Sequence, residues 1–199
     1  MKEQIISRLR ESADLKLRFA KESLDEVQNA TEIILKCFKS GGKLLVFGNG
    51  GSAADAQHIA AEFVNRFNLN RPALPCIALT TDTSLITSIC NDDSFKSLFS
   101  RQIEALGKKG DVAIGITTGG KSTNVINGLN TARSLELKTI GLIGNDPSKI
   151  KNYADCLISI PSDVTARIQE LHITVAHIIC ELIEDYIYKK PKKREKQSK

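Results

Sequence analysis

His58 and Glu62 stand four residues apart in the stretch 48–63, "GNGGSAADAQHIAAEF". Side chains at i and i+4 share one helix face. An imidazole and a carboxylate placed so can hold one metal ion, or serve one substrate as acid and base. The spacing differs from that of a metalloprotease, where the glutamate directly follows the first histidine. Arg66 continues the stripe at i+8, a cation suited to a carboxylate or phosphate, or to a plain surface ion pair. The only other histidines are His172 and His177, in "RIQELHITVAHI" together with Gln169. Gln169 and His177 are about 12 Å apart along a straight helix. One helix therefore does not readily bring both side chains to one point.

Just upstream of His58 lies Gly48-Asn49-Gly50-Gly51-Ser52, between an apolar run and a helical one. Glycines allow positive φ and a close backbone approach. The free amides and positive dipole end of a helix start attract an anion. Ser52 is placed to cap that helix or to bond a ligand oxygen. The loop is neither a P-loop nor a dinucleotide fingerprint, and its plain alternative is a tight strand-to-helix turn. A second loop, Thr117-Thr118-Gly119-Gly120-Lys121-Ser122-Thr123, again joins hydroxyls and glycines to a helix start. Two such loops favour recognition of a phosphate, and nothing in them requires a nucleotide, since one nest of amides and hydroxyls suffices for a monophosphate.

These residues need a frame. Five short apolar runs, at 43–48, 74–80, 111–117, 138–144 and 156–161, read as strands buried on both faces, as parallel strands are. Helical stretches are predicted near 52–66, 94–106, 122–135 and 164–188, the last capped by Ser162 or Asp163. Residues 3–38 carry apolar side chains at helical spacing and predict two helices or one broken helix. The alternation specifies a doubly wound α/β fold: a mainly five-stranded parallel sheet with an N-terminal helical extension over about residues 1–40. In such a fold the ligand sits beyond the carboxyl ends of the strands, so the loops after them hold the site.

Composition narrows the class. The 199 residues suit one domain with a real core. No apolar run is long enough to cross a membrane, and Met1-Lys2-Glu3-Gln4 lacks a signal peptide's apolar stretch. The five scattered cysteines (Cys37, Cys76, Cys90, Cys156, Cys180) argue against a disulfide framework or thiolate zinc site, and for small core hydrophobes in a reducing compartment. The net charge of +5 is concentrated in the tail 189–199, with seven Lys/Arg and one Glu; residues 1–188 hold 21 basic and 22 acidic side chains. The tail reads as disordered, either solubilising or a weak polyanion contact, and no folded basic face points to nucleic acid.

Taken together, "GNGGSAADAQHIAAEFVNRF", "RPALPCIALTTDTSLITSICND", "GDVAIGITTGGKSTNVI" and "RIQELHITVAHI" resemble the sugar isomerase (SIS) domain and, within it, the phosphoheptose isomerases. The resemblance spans residues 1–188 and implies a single flavodoxin-like SIS domain. It implies a zinc ion held by His58, Glu62, Gln169 and His177, with Glu62 and His177 moving protons. It implies substrate contacts from Asn49, Gly50, Gly51, Glu62, Asn91, Asp92, Thr117, Thr118, Gly119, Ser122 and Gln169, and Ser52 and Arg66 match the same pattern. Sedoheptulose 7-phosphate is the implied substrate, in nucleotide-activated heptose biosynthesis. A cytoplasmic homotetramer with active sites shared between subunits is the implied assembly. The phosphate loop departs from the family's usual Ser-Thr-Ser-Gly-Asn-Ser: Gly119 lacks a hydroxyl and Lys121 replaces asparagine. Ala166 stands where some members carry aspartate. The alternatives are a non-catalytic SIS protein that binds a replication initiator, which would lack the catalytic set, and an isomerase for another sugar phosphate.

Overall fold

The computed structural model describes residues 1–189. The basic tail from residue 190 onward lies outside the described residues. In chain order the elements are α1 (Lys2–Glu22), α2 (Leu24–Lys39), β1 (Leu44–Gly48), α3 (Gly51–Val64), β2 (Cys76–Ala78), α4 (Thr83–Asp92), α5 (Leu98–Leu106), β3 (Val112–Thr117), α6 (Thr123–Ser134), β4 (Lys138–Ile143), β5 (Cys156–Ser159) and α7 (Thr165–Tyr188). The five strands form one parallel sheet in the order β2-β1-β3-β4-β5.

Successive side chains of a strand point to opposite faces, and here both faces are covered. Leu44 and Val46 of β1 enter one core with residues of α1, α2, α3 and α7, while Leu45 and Phe47 enter a second core with residues of α4, α5 and α6. This explains the unbroken apolar runs. Four of the cysteines are buried and all five are free; burial pushes the Cys37 thiol up to about 11 and the Cys180 thiol up to about 12. They pack as hydrophobes.

The N-terminal region is two helices, one of the two arrangements its spacing predicts, broken at Ser23, whose φ of −137° leaves the helical range. The sequence expectations need two corrections. α4 was not expected. Its TSLITSICND is rich in β-branched and hydroxyl residues with low helix propensity, yet Asp82 caps it by accepting from the Leu85 amide at 2.9 Å. At α7 the cap position falls to Val164, with no side-chain cap; Ser162 instead accepts from the Val164 amide at 3.2 Å.

The strand order places the topological switch between β1 and β3, where the chain first winds outward to β2 and then returns to the other side. Ligands of open α/β sheets bind in that crevice. The glycine loop leaves β1 and the 117–122 loop leaves β3, so the two loops flank it.

Candidate active site

The glycine loop turns sharply from β1 into α3. Gly50 adopts φ +57°, open to glycine and strained for most other residues, and its carbonyl accepts from Ala53. Ser52 is buried. Any side chain at Gly51 would collide with the Gln169 amide, so Gln169 of α7 lies directly against the start of α3.

Asn49 is tied down as well. Its side-chain amide and that of Asn124 exchange two hydrogen bonds of 2.9 Å, and Asn124 is buried in the first turn of α6. This pair links the two loops across the switch point. The sequence reading missed Asn124; its place just after Ser122 was visible, but its partner lies 75 residues away.

In the second loop Thr117 Oγ1 and Ser122 Oγ are 3.0 Å apart. Gly120 takes φ +62°, and the Thr118 carbonyl accepts from the Gly144 amide at 3.1 Å. These contacts fix the loop against β4. Lys121 is drawn to Asp146 (3.2 Å), a carboxylate that bonds to Ser148 and Lys121 hold down to about 2. The exposed pair gives Lys121 a partner on its own surface.

Farther along, α3 and α7 lie side by side, and their polar residues meet at two levels. At the first level Gln169 rests on Gly51. Two turns on, His58 Nε2 is 2.9 Å from His177 Nε2 and 3.3 Å from Glu62 Oε1. One ligand atom from each of His58, Glu62 and His177 lies within 4.8 Å of the others. His58 is about half exposed and Glu62 largely covered, at 48% and 20% side-chain exposure. Ring nitrogens this close either share one proton or turn two lone pairs toward a common cation. Two imidazole nitrogens and a carboxylate oxygen form a donor set that suits zinc. Asp55 lies one turn before His58; burial raises its carboxyl, His58 partly offsets this, and one of its oxygens is buried without a partner.

The remaining expected residues make no hydrogen bond or ion pair with this cluster among the described residues. α3 ends at Val64, so Arg66 falls beyond the helix and off the stripe. It is exposed, with no side-chain hydrogen bond or ion pair among the described residues. Asn91 and Asp92 are exposed at the end of α4, where Asn91 donates to Asp92 at 2.7 Å. His172 is buried, bonded through Nε2 to the Ile143 carbonyl at 3.1 Å; burial lowers its pKa to about 4. It is a core histidine. The stripe Ile173, Ala176, Cys180 and Ile183 on α7 packs into this chain's own core.

A parallel sheet in this order, with two hydroxyl- and glycine-rich loops at its switch point and a histidine–glutamate cluster beside them, defines a doubly wound α/β domain whose candidate site lies beyond the carboxyl ends of its strands. The SIS domain family matches residues 9–144. The chain is 46% identical over 190 residues to a phosphoheptose isomerase from Clostridium acetobutylicum, covering 94% of this chain and 97% of that protein. It is 50% identical over 187 residues to the one from Aquifex aeolicus, covering 94% and 98%. Among solved structures, the phosphoheptose isomerase from Neisseria gonorrhoeae superposes with a TM-score of 0.87 at 41% identity, covering 92% of this chain and 98% of that one. The chain belongs to the SIS-domain family and, within it, to the phosphoheptose isomerases, which are aldose–ketose isomerases of sugar phosphates. Among the described residues no helix is long and apolar enough to cross a membrane.

Proposed function

We propose that the chain converts sedoheptulose 7-phosphate to D-glycero-D-manno-heptose 7-phosphate, with Glu62 as base and His177 as acid. The observation that carries this assignment is the convergence of His58, Glu62 and His177 beside the switch-point crevice. In the ketose the carbonyl is at C2. Glu62 removes a proton from C1 while His177 donates one to O2, giving an enediol. His177 then takes the proton from O1, and Glu62 returns its proton to C2, leaving an aldehyde at C1. Each group ends as it began, and a positioned acid and base contribute about 10²–10⁴-fold.

The far end of the substrate is held by the loops. Thr117, Thr118, Gly119 and Ser122 receive the phosphate through hydroxyls and amides at the start of α6. Asn49, Gly50, Gly51 and Ser52 form the facing wall. Anchoring the phosphate places C1 and C2 against the acid–base pair and removes much of the entropic cost of meeting it. Asn91, Asp92 and Arg66, exposed in a single copy, contact the sugar where a second copy closes over them.

His58, Glu62 and His177 are the residues of this chain that would hold a zinc ion, with Gln169 as the fourth ligand. When bound, the metal acts as a Lewis acid on the carbonyl and hydroxyl oxygens. Gln169 of the same chain is held at Gly51, one level below the cluster. The assembly we propose is a homotetramer in which a second copy supplies Gln169, so the sites are shared. The free cysteines fit a reducing, cytoplasmic setting. Each copy contributes to these sites through its SIS domain, residues 1–188. The test is turnover of sedoheptulose 7-phosphate by purified protein, with and without chelator. No product under either condition rejects the substrate assignment.

A further inference from the structure

Arg71 and Glu184 form an ion pair of 2.7 Å between Arg71 Nε and Glu184 Oε1, with each side chain only 1% exposed. Nothing in the isomerisation uses either residue. A buried pair of this kind adds little net stability, because desolvating two charges offsets most of their attraction. What it supplies is geometry, since charge-assisted bonds are short and directional.

The bonds run to the backbone of Glu62 and to the turn whose Phe67 ring lies against His177. Arg71 donates to the Glu62 carbonyl at 2.8 Å and to the Phe63 carbonyl at 2.8 Å. Those carbonyls end α3, where no intrahelical donor remains, so Arg71 caps the helix that carries Glu62. Glu184 accepts from the amides of Phe67, Asn68 and Leu69 at 2.8–2.9 Å. That fixes the turn after α3 and sets the Phe67 ring against His177, with centroids 5.4 Å apart and ring planes at 34°. Glu184 itself lies seven residues after His177, on the same stripe of α7.

We infer that the Arg71–Glu184 pair is a positioning device for the isomerase site. It locks the register of α3 against α7 and uses Phe67 as a wedge that holds His177 toward His58 and Glu62. The inference rests on the roles proposed above for Glu62 and His177. It concerns their placement, and the measurement below reads placement without turnover.

The experiment uses full-length protein with ¹³C-labelled histidine. There are three histidines, so their ring resonances are separable. Phe67→Leu removes the ring current on His177 and gives the reference shift. In Glu184→Gln, the His177 resonances are expected to move toward those of Phe67→Leu, while those of His172 stay in place. Kinetically, both variants are expected to lose about 10–100-fold in kcat, with KM changed less than about threefold, because the phosphate loop is untouched. Where Glu184→Gln does not fold, Arg71→Met/Glu184→Leu, which removes both charges together, takes its place. Where that also fails, Phe67→Leu alone decides through kcat. Wild-type His177 resonances in a folded clamp variant, or wild-type kcat in Phe67→Leu, overturn the inference. A wild-type protein inactive on sedoheptulose 7-phosphate would reject the substrate assignment instead, leaving the resonance test in force.

Discussion

His58 Nε2 lies 2.9 Å from His177 Nε2, although the two residues are 119 positions apart in the chain. One is carried by the helix leaving the first strand, the other by the last helix. Their meeting turns a histidine–glutamate stripe on a single helix into a three-donor centre with Glu62. The chemistry of the site therefore depends on how α3 and α7 are held together.

Replacing Glu62 by glutamine keeps shape and polarity but removes the base. The expected outcome is a folded protein with kcat lowered by about 10²–10⁴-fold. Circular dichroism checks the fold, and an isomerase assay checks the rate. Turnover close to wild type would take Glu62 out of the base role.

Metal removal should abolish activity. The donor set is nitrogen and oxygen only, which zinc accepts and other divalent ions can share. We expect exhaustive chelation to stop turnover, zinc to restore it, and His58→Ala to lower zinc content by elemental analysis. Full activity in metal-free protein would contradict the metal assignment.

The separation of Gln169 from His177 predicts complementation between subunits. Gln169→Ala and His177→Ala proteins are each expected to be inactive. After subunit exchange, a fraction of the sites would combine an intact Gln169 from one copy with an intact His177 from another. Recovery of part of the wild-type rate in mixed oligomers supports a shared site. Confirmed hetero-oligomers without activity would exclude it.

Buried His172 predicts a pH dependence of stability. Its folded pKa is lowered from 6.5 to about 4, chiefly by burial. Between those values the unfolded chain binds the proton and the folded one does not, so stability falls as pH drops through that window. The loss approaches about 3 kcal/mol by pH 4. His172→Leu is expected to flatten that part of the melting-temperature profile, even if its overall stability is lower. An unchanged slope from pH 6.5 to 4 would assign the acid sensitivity to other groups.

Much of this protein was legible in its sequence. Apolar runs without alternation specified parallel strands covered on both sides, because each strand's alternate residues feed two different cores. The loop 48–52 and the loop 117–122 declared themselves by residue type, since only small and hydroxyl residues let a backbone cradle an anion. His58 with Glu62 was visible because helical periodicity is local. The helix at Thr83–Asp92 was not, because its residues have weak intrinsic preference and one cap at Asp82 decides the matter. Arg66 was misplaced on the stripe because α3 ends at Val64, where Arg71, from the segment leading to β2, caps it. Only the tertiary structure paired Asn49 with Asn124, put Gln169 against Gly51, and joined Arg71 to Glu184. Periodicity reports which face a side chain takes on its own element. Which other element that face meets, and at what height, is set by strand order and helix packing, and these are properties of the whole chain.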